Sequence, residues 1–167
     1  WPVATTYLDV DNIALWALPT LRGRVTLSDH AGDPRCQSVQ VQIRNGNGVV
    51  AWQGELPLSV DGEFEVVYEA NLPEGVYDVA IRGTHWLQRV VNGVLLPGGM
   101  VDVALFNGDI DGDNEVTLFD FGELVQAFGS VPGDANWNPN ADLDGDGEVS
   151  LFDFGVLVRN FGRVGEE

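Results

Sequence analysis

The sequence predicts a β-sandwich of about seven antiparallel strands, followed by a small helical unit made of two acidic loop–helix repeats. Three observations predict it. Short β-rich runs alternate with turn signals through residues 19–106. The segment Asp109–Gly129 recurs as Asp142–Gly162 with 15 identities in 21 positions. Negative charge gathers where the repeats lie, with 14 acidic and 2 basic side chains in residues 107–167.

The chain has 167 residues, enough for one ordinary domain or two small ones. At 44% hydrophobic residues it has the material for a packed core. Its net charge of −18 repels phosphate backbones and anionic membranes, which excludes nucleic acid as a partner and leaves cations as the natural counterpart. No apolar window of about 18 residues is present, so membrane insertion is not expected. The chain begins at Trp1 rather than Met, which suggests a removed targeting segment or a fragment. The single cysteine, Cys36, excludes an intrachain disulfide and reads as an inert loop thiol, with an intermolecular bridge as the other reading.

The predicted strands are RGRVTLS, SVQVQIRN, GVVAWQG, GEFEVVYEA, GVYDVAIRG, HWLQRVV and MVDVALF. The breaks between them include NGNG at 45–48, VDG at 60–62, LPEG at 72–75, NG at 92–93 and LPGG at 96–99. Val39, Val41 and Ile43 alternate with polar residues, and Tyr77, Val79 and Ile81 alternate with Asp78, Ala80 and Arg82, so each run is expected to have one buried face. Gly23-x-Val25, Val39-x-Val41-x-Ile43, Asp61-Gly62-x-Phe64 and LPEGVYDVAI at Leu72–Ile81 resemble the carboxypeptidase regulatory-like and Cna-B-like families. That resemblance implies an immunoglobulin- or prealbumin-like sandwich acting as a stalk or spacer. Many Cna-B-like domains carry a lysine–asparagine cross-link, which this lysine-free chain cannot form. Residues 1–18 form a separate N-terminal segment. It reads as an edge strand on the chain's own sheet, or as a strand donated to a neighbour.

The acidic repeats have the spacing of a calcium loop. Ca²⁺ takes six to eight oxygen ligands, supplied in an EF-hand loop from positions 1, 3, 5, 7, 9 and 12. In the first repeat these positions are Asp109, Asp111, Asp113, Glu115, Thr117 and Asp120. In the second they are Asp142, Asp144, Asp146, Glu148, Ser150 and Asp153. Every position carries an oxygen donor, and the expectation is two Ca²⁺ ions. Position 6, which needs a residue tolerant of positive φ, is Asn114 or Gly147. Position 8 is Val116 or Val149, placed to pair the two loops by a short β-bridge. Without a cation the carboxylates repel, so this half is expected to need metal to fold.

No helix signal precedes either loop, so each unit is a loop with a following helix only. Doubled at short spacing, this arrangement resembles the dockerin family over Gly108 to about Gly162. The resemblance implies Ca²⁺ binding, an extracellular setting and a cohesin-like β-sandwich partner. It also implies that loop positions 10 and 11, here Leu118, Phe119, Leu151 and Phe152, contact that partner. Many cellulosomal dockerins have small hydroxyl residues there, so the Leu-Phe pairs imply a partner other than a standard cellulosomal cohesin. The alternative is that Phe119 and Phe152 pack on the adjoining sandwich. Leu118, Phe121, Leu124, Val125 and Phe128 make a helical stripe repeated by Leu151, Phe154, Leu157, Val158 and Phe161, which reads as the core between the units. Trp137, in the connecting loop SVPGDANWNPNA, is expected to cover that core.

Catalysis is not expected. His30 and His85 lie in different stretches without a nucleophile motif, and the clustered carboxylates are already committed as ligands. Carbohydrate binding is a rival if Trp1, Trp16, Trp52, Trp86 and Trp137 supply an exposed stacking row. The expected organisation is an N-terminal segment at 1–18, a sandwich at 19–106 and a dockerin-like domain at 107–167. The expected function is secreted, non-catalytic, calcium-dependent assembly. Its forms are a head-to-tail homopolymer, docking to a separate cohesin-like scaffold, or glycan binding by the sandwich.

Overall fold

The computed structural model describes residues 20–68 and 72–167. The expected N-terminal segment, with Trp1 and Trp16, lies outside the described residues. Seven strands follow in order: β1 Thr20–Leu27, β2 Ser38–Arg44, β3 Val50–Pro57, β4 Glu63–Val67, β5 Gly75–Arg82, β6 Arg89–Leu96 and β7 Met100–Leu105. Two helices close the chain, α1 Leu118–Ala127 and α2 Leu151–Asn160. The strands form two sheets, ordered β4-β1-β7 and β3-β2-β5-β6.

Period-two alternation decides which faces meet. Leu21 and Val25 of β1, Val39, Val41 and Ile43 of β2, and Val101, Val103 and Leu105 of β7 turn inward, and their charged neighbours Arg22, Arg24 and Asp102 turn outward. Together with Phe64, Tyr77, Ile81 and Trp86 they make one core. Gly23 has a packing reason: a Cβ there would lie 2.1 Å from the Phe64 ring.

Two strand expectations are corrected. The run HWLQRVV is not itself a strand; β6 begins at Arg89 and passes through the predicted break at Asn92-Gly93. Those two residues oppose the single residue Asp78, a bulge in which Gly93 adopts φ +78° and donates its N–H to the Asp78 carboxylate at 3.0 Å. Second, β1 and β7 pair in parallel, against the all-antiparallel expectation. All the other pairings are antiparallel and fit strict alternation of direction along the chain. Under that alternation the first and seventh strands run the same way, so when they become neighbours they must be parallel.

A second core holds the helical half together. It contains Leu87, Ile110, Val116, Leu124, Leu143, Val149, Val156 and Leu157, with Phe106 and Trp137 packed partly buried against it. Leu87, from the link between β5 and β6, ties this core to the sandwich. The C-terminal residues add a seam: Glu166 and Gln88 exchange main-chain and side-chain hydrogen bonds, and the Glu166 carboxylate accepts from Val90 N–H at 2.7 Å. The Arg163 guanidinium lies 4.0 Å from the centre of the Phe106 ring.

Candidate metal centre and docking face

β7 runs directly into the first acidic loop. The loop's shape comes from carboxylates accepting backbone N–H groups a few residues ahead. The Asp111 carboxylate accepts from Asp113 N–H at 3.1 Å, and that of Asp113 from Glu115 N–H at 2.9 Å. The second loop repeats the pattern with Asp144 to Asp146 and Asp146 to Glu148. Asn114 and Gly147 have φ of +73° and +89°, so each sixth position adopts the left-handed turn its residue type allows.

Each loop ends by starting a helix. Thr117 and Ser150 are N-caps whose hydroxyls accept from Phe119 N–H and Phe152 N–H. Asp120 and Asp153, three residues on, complete capping boxes. The Asp120 carboxylate also accepts from Ile110 N–H at 2.6 Å and Asp111 N–H at 3.1 Å, and Asp153 does the same with Leu143 and Asp144. The cap thus closes the loop onto its helix.

Asp109, Asp111 and Asp120 each place a carboxylate oxygen within 4.8 Å of the others, as do Asp142, Asp144 and Asp146. Asp113, Glu115, Thr117, Glu148, Ser150 and Asp153 line the same loops outside those two closest groups. Asp109 is fully buried; its Oδ2 accepts from Asn114 N–H at 3.1 Å, and among the described residues its Oδ1 has no partner. Burial pushes the Asp109 carboxyl up to about 6, opposed by the Arg82 guanidinium. Burial also raises Asp111, Asp142 and Asp144, and neighbouring carboxylates add to the rise. An all-oxygen donor set holding a buried carboxylate oxygen without a partner fits a hard divalent cation of Ca²⁺ type.

The expected bridge between the loops is replaced by a crossed arrangement. Val116 N–H donates to Arg163 C=O at 2.9 Å, and Gly162 N–H to Val116 C=O at 2.8 Å. Val149 pairs likewise with Gly129 and Ser130. Each loop therefore binds the segment after the other unit's helix, which the turns at Gly129 and Gly162 swing into reach.

The expected core stripe is also corrected. Only Leu124 and Leu157 of its ten residues are buried. Leu118, Phe119, Leu151 and Phe152 are 71–75% exposed, and Phe121, Val125, Phe128, Phe154, Val158 and Phe161 are exposed beside them. Phe119 and Phe152 therefore do not pack on the sandwich. The reason is the capping aspartate. Asp120 must point into its loop, so residues four and seven further on, Leu124 and Ala127, share that inward face. Asp153, Leu157 and Asn160 repeat this, and the aromatic residues turn outward. The Asp at position 12 was the signal that could have oriented the helix.

Among the described tryptophans, Trp86 is buried, and Trp52 and Trp137 pack partly buried against the two cores. They form no exposed stacking row. His85 is buried with its ring stacked 3.7 Å from Trp86. Cys36 is exposed, at the end of the 3-10 turn Pro34–Cys36.

Fold and loops together define a β-sandwich carrying a dockerin-type pair of loop–helix units. Residues 107–162 match the dockerin type I domain family, and this C-terminal part is a dockerin-type domain. Dockerin domains in general bind calcium and serve as docking modules. No curated protein matches the chain. Among solved structures, a chain of an N-terminal interface mutant of the type II cohesin–X–dockerin complex from Acetivibrio cellulolyticus is similar. It has 22% identity and a TM-score of 0.68, covering 87% of this chain and 97% of that one. A chain of the C-terminal interface mutant of that complex gives 23% identity and a TM-score of 0.67 over the same shares. The likeness therefore spans both halves in one fold.

Proposed function

We propose that the chain is a secreted, non-catalytic assembly module that docks to a cohesin-like β-sandwich partner when its two loops hold Ca²⁺. The observation that carries this is the outward face of α1 and α2, where Leu118–Phe119 and Leu151–Phe152 stand at equivalent positions of the repeat with little cover. A face this apolar and contiguous is a docking surface by its physical chemistry. The type of partner is supported by the similar chains, which come from complexes described as cohesin–X–dockerin. In this reading residues 19–106 are a sandwich spacer, 107–167 the docking domain, and 1–18 a separate segment. The first ion would take oxygens from Asp109, Asp111, Asp113, Glu115, Thr117 and Asp120. The second would take them from Asp142, Asp144, Asp146, Glu148, Ser150 and Asp153. An extracellular setting supplies the millimolar calcium such loops use. Among the described residues no helix is long and apolar enough to cross a membrane.

The test is calorimetric titration of the purified chain against a panel of type I and type II cohesins, in calcium and again in excess EGTA. Light scattering of the chain alone accompanies it. Binding to a cohesin that EGTA abolishes, with a monomeric free chain, is the expected result. Large calcium-dependent particles formed by the chain alone would replace this reading with the head-to-tail homopolymer.

A further inference from the structure

The two loops differ in one respect that the repeat does not encode. Arg82, the last residue of β5, reaches out of the sandwich into the first loop. Its Nη2 donates to Asp109 Oδ2 at 2.8 Å and to Gly112 C=O at 2.6 Å. Asp109 Oδ2 is thereby held by Arg82 and Asn114 N–H together, and Oδ1 is left buried with no partner among the described residues. Among the described residues the second loop has no such group. Asp142 Oδ2 accepts from Gly147 N–H at 3.0 Å, and its Oδ1 from Gly145 N–H and Asp146 N–H. The sandwich touches that loop through Ala31 N–H, which donates to Asp144 C=O at 2.8 Å, and through the His30 ring beside Gly145. Among the described residues no arginine is ion-paired to Asp142, Asp144 or Asp146.

We infer that Arg82 is a built-in surrogate cation for the first loop: it holds that loop in shape and on the sandwich without metal, and it makes that loop the weaker of the two calcium sites. The inference rests on the calcium reading above. Its physical basis is a guanidinium whose charge serves two ends of opposite sign. In the metal-free chain it offsets part of the repulsion among Asp109, Asp111 and Asp120, and it partners a carboxylate that is fully buried. In the loaded chain the same fixed charge stands beside a divalent cation and repels it. Arg82 is thus a positioning residue that acts through Asp109 and does not itself touch the ion. It also couples calcium occupancy of the first loop to the attachment of β5.

The experiment is a calcium titration of the full chain by NMR, followed at the Asn114 and Gly147 amides, which report the two loops separately. It is run on the natural chain, Arg82→Met and Arg82→Lys, with thermal unfolding of each in EGTA. In the natural chain Gly147 is expected to saturate at lower calcium than Asn114. Arg82→Met should lower the Asn114 midpoint about tenfold, leave Gly147 in place, and reduce the metal-free melting temperature. Arg82→Lys, which keeps the charge, should keep the natural order of filling. Arg159→Met is the control for a merely structural ion pair: it removes the contact to Asp29 near the second loop and should lower stability without moving the Asn114 midpoint. An unchanged or raised Asn114 midpoint in Arg82→Met, or a first loop that fills first in the natural chain, overturns the role of Arg82 and leaves the calcium reading standing. Silence of both amides to calcium would remove the calcium reading and this role with it.

Discussion

The rings of Phe121 and Phe154 meet with centroids 5.9 Å apart and planes tilted by 57°. These are the same position of the two repeats, so equivalent side chains meet where α1 packs beside α2. Both rings are still partly open to solvent and belong to the outward apolar face.

That contact predicts coupling between the two repeats. Phe121→Ala and Phe154→Ala should each weaken partner binding, and the double variant should lose less than the sum. An aromatic pair of this geometry corresponds to a coupling of about 0.5–1.5 kcal/mol. A double-mutant cycle on the free chain, by chemical denaturation, reads the fold's share of it; purely additive losses would mean the rings do not interact.

Removing calcium should destabilise the C-terminal half before the sandwich. Mass action gives about 4 kcal/mol of stabilisation when free calcium is a thousandfold above the dissociation constant. Hydrogen exchange in EGTA is expected to speed up at Val116 and Val149 while Val41 and Val79 stay protected, since the latter pair within the sheet core. Equal loss at all four would show that the two halves unfold together.

Core and face should separate cleanly in mutagenesis. Leu124→Ala or Leu157→Ala removes a buried side chain and should cost about 2–5 kcal/mol. Phe119→Ala and Phe152→Ala should leave the melting temperature nearly unchanged and cut partner affinity. A large stability loss on truncating Phe119 would contradict its exposed position.

His85 should make the fold sensitive to acid. Burial, with a smaller contribution from His30, pushes its pKa down from 6.5 to about 3. Between those values the unfolded chain binds a proton that the folded chain refuses, so stability is full above pH 6.5 and falls as the pH drops toward 3. The slope from one such group is at most about 1.4 kcal/mol per pH unit. Comparing the natural chain with His85→Phe in EGTA cancels the carboxylates common to both. The natural chain should lose ground steadily as pH falls; parallel curves would mean His85 takes up its proton in the fold.

What the sequence determined by itself was whatever local chemistry dictates. Alternation in β2 and β5 marked the buried faces. Duplicated aspartates at odd loop spacing marked two acidic loops of like shape, because the order of carboxylates along a tight loop is a property of the chain alone. Thr117–Asp120 and Ser150–Asp153 carry their capping chemistry within four residues. What only the tertiary structure decided were the choices between locally equivalent options. A helix apolar around most of its circumference does not declare its inner side; closure of Asp120 and Asp153 onto their loops settled it and turned the phenylalanines outward. Nothing near Arg82 in sequence ties it to Asp109, 27 residues away. The two meet because β5, in one sheet, ends beside the point where β7, in the other, delivers the first loop, a juxtaposition set by the packing of the two sheets rather than by any local preference.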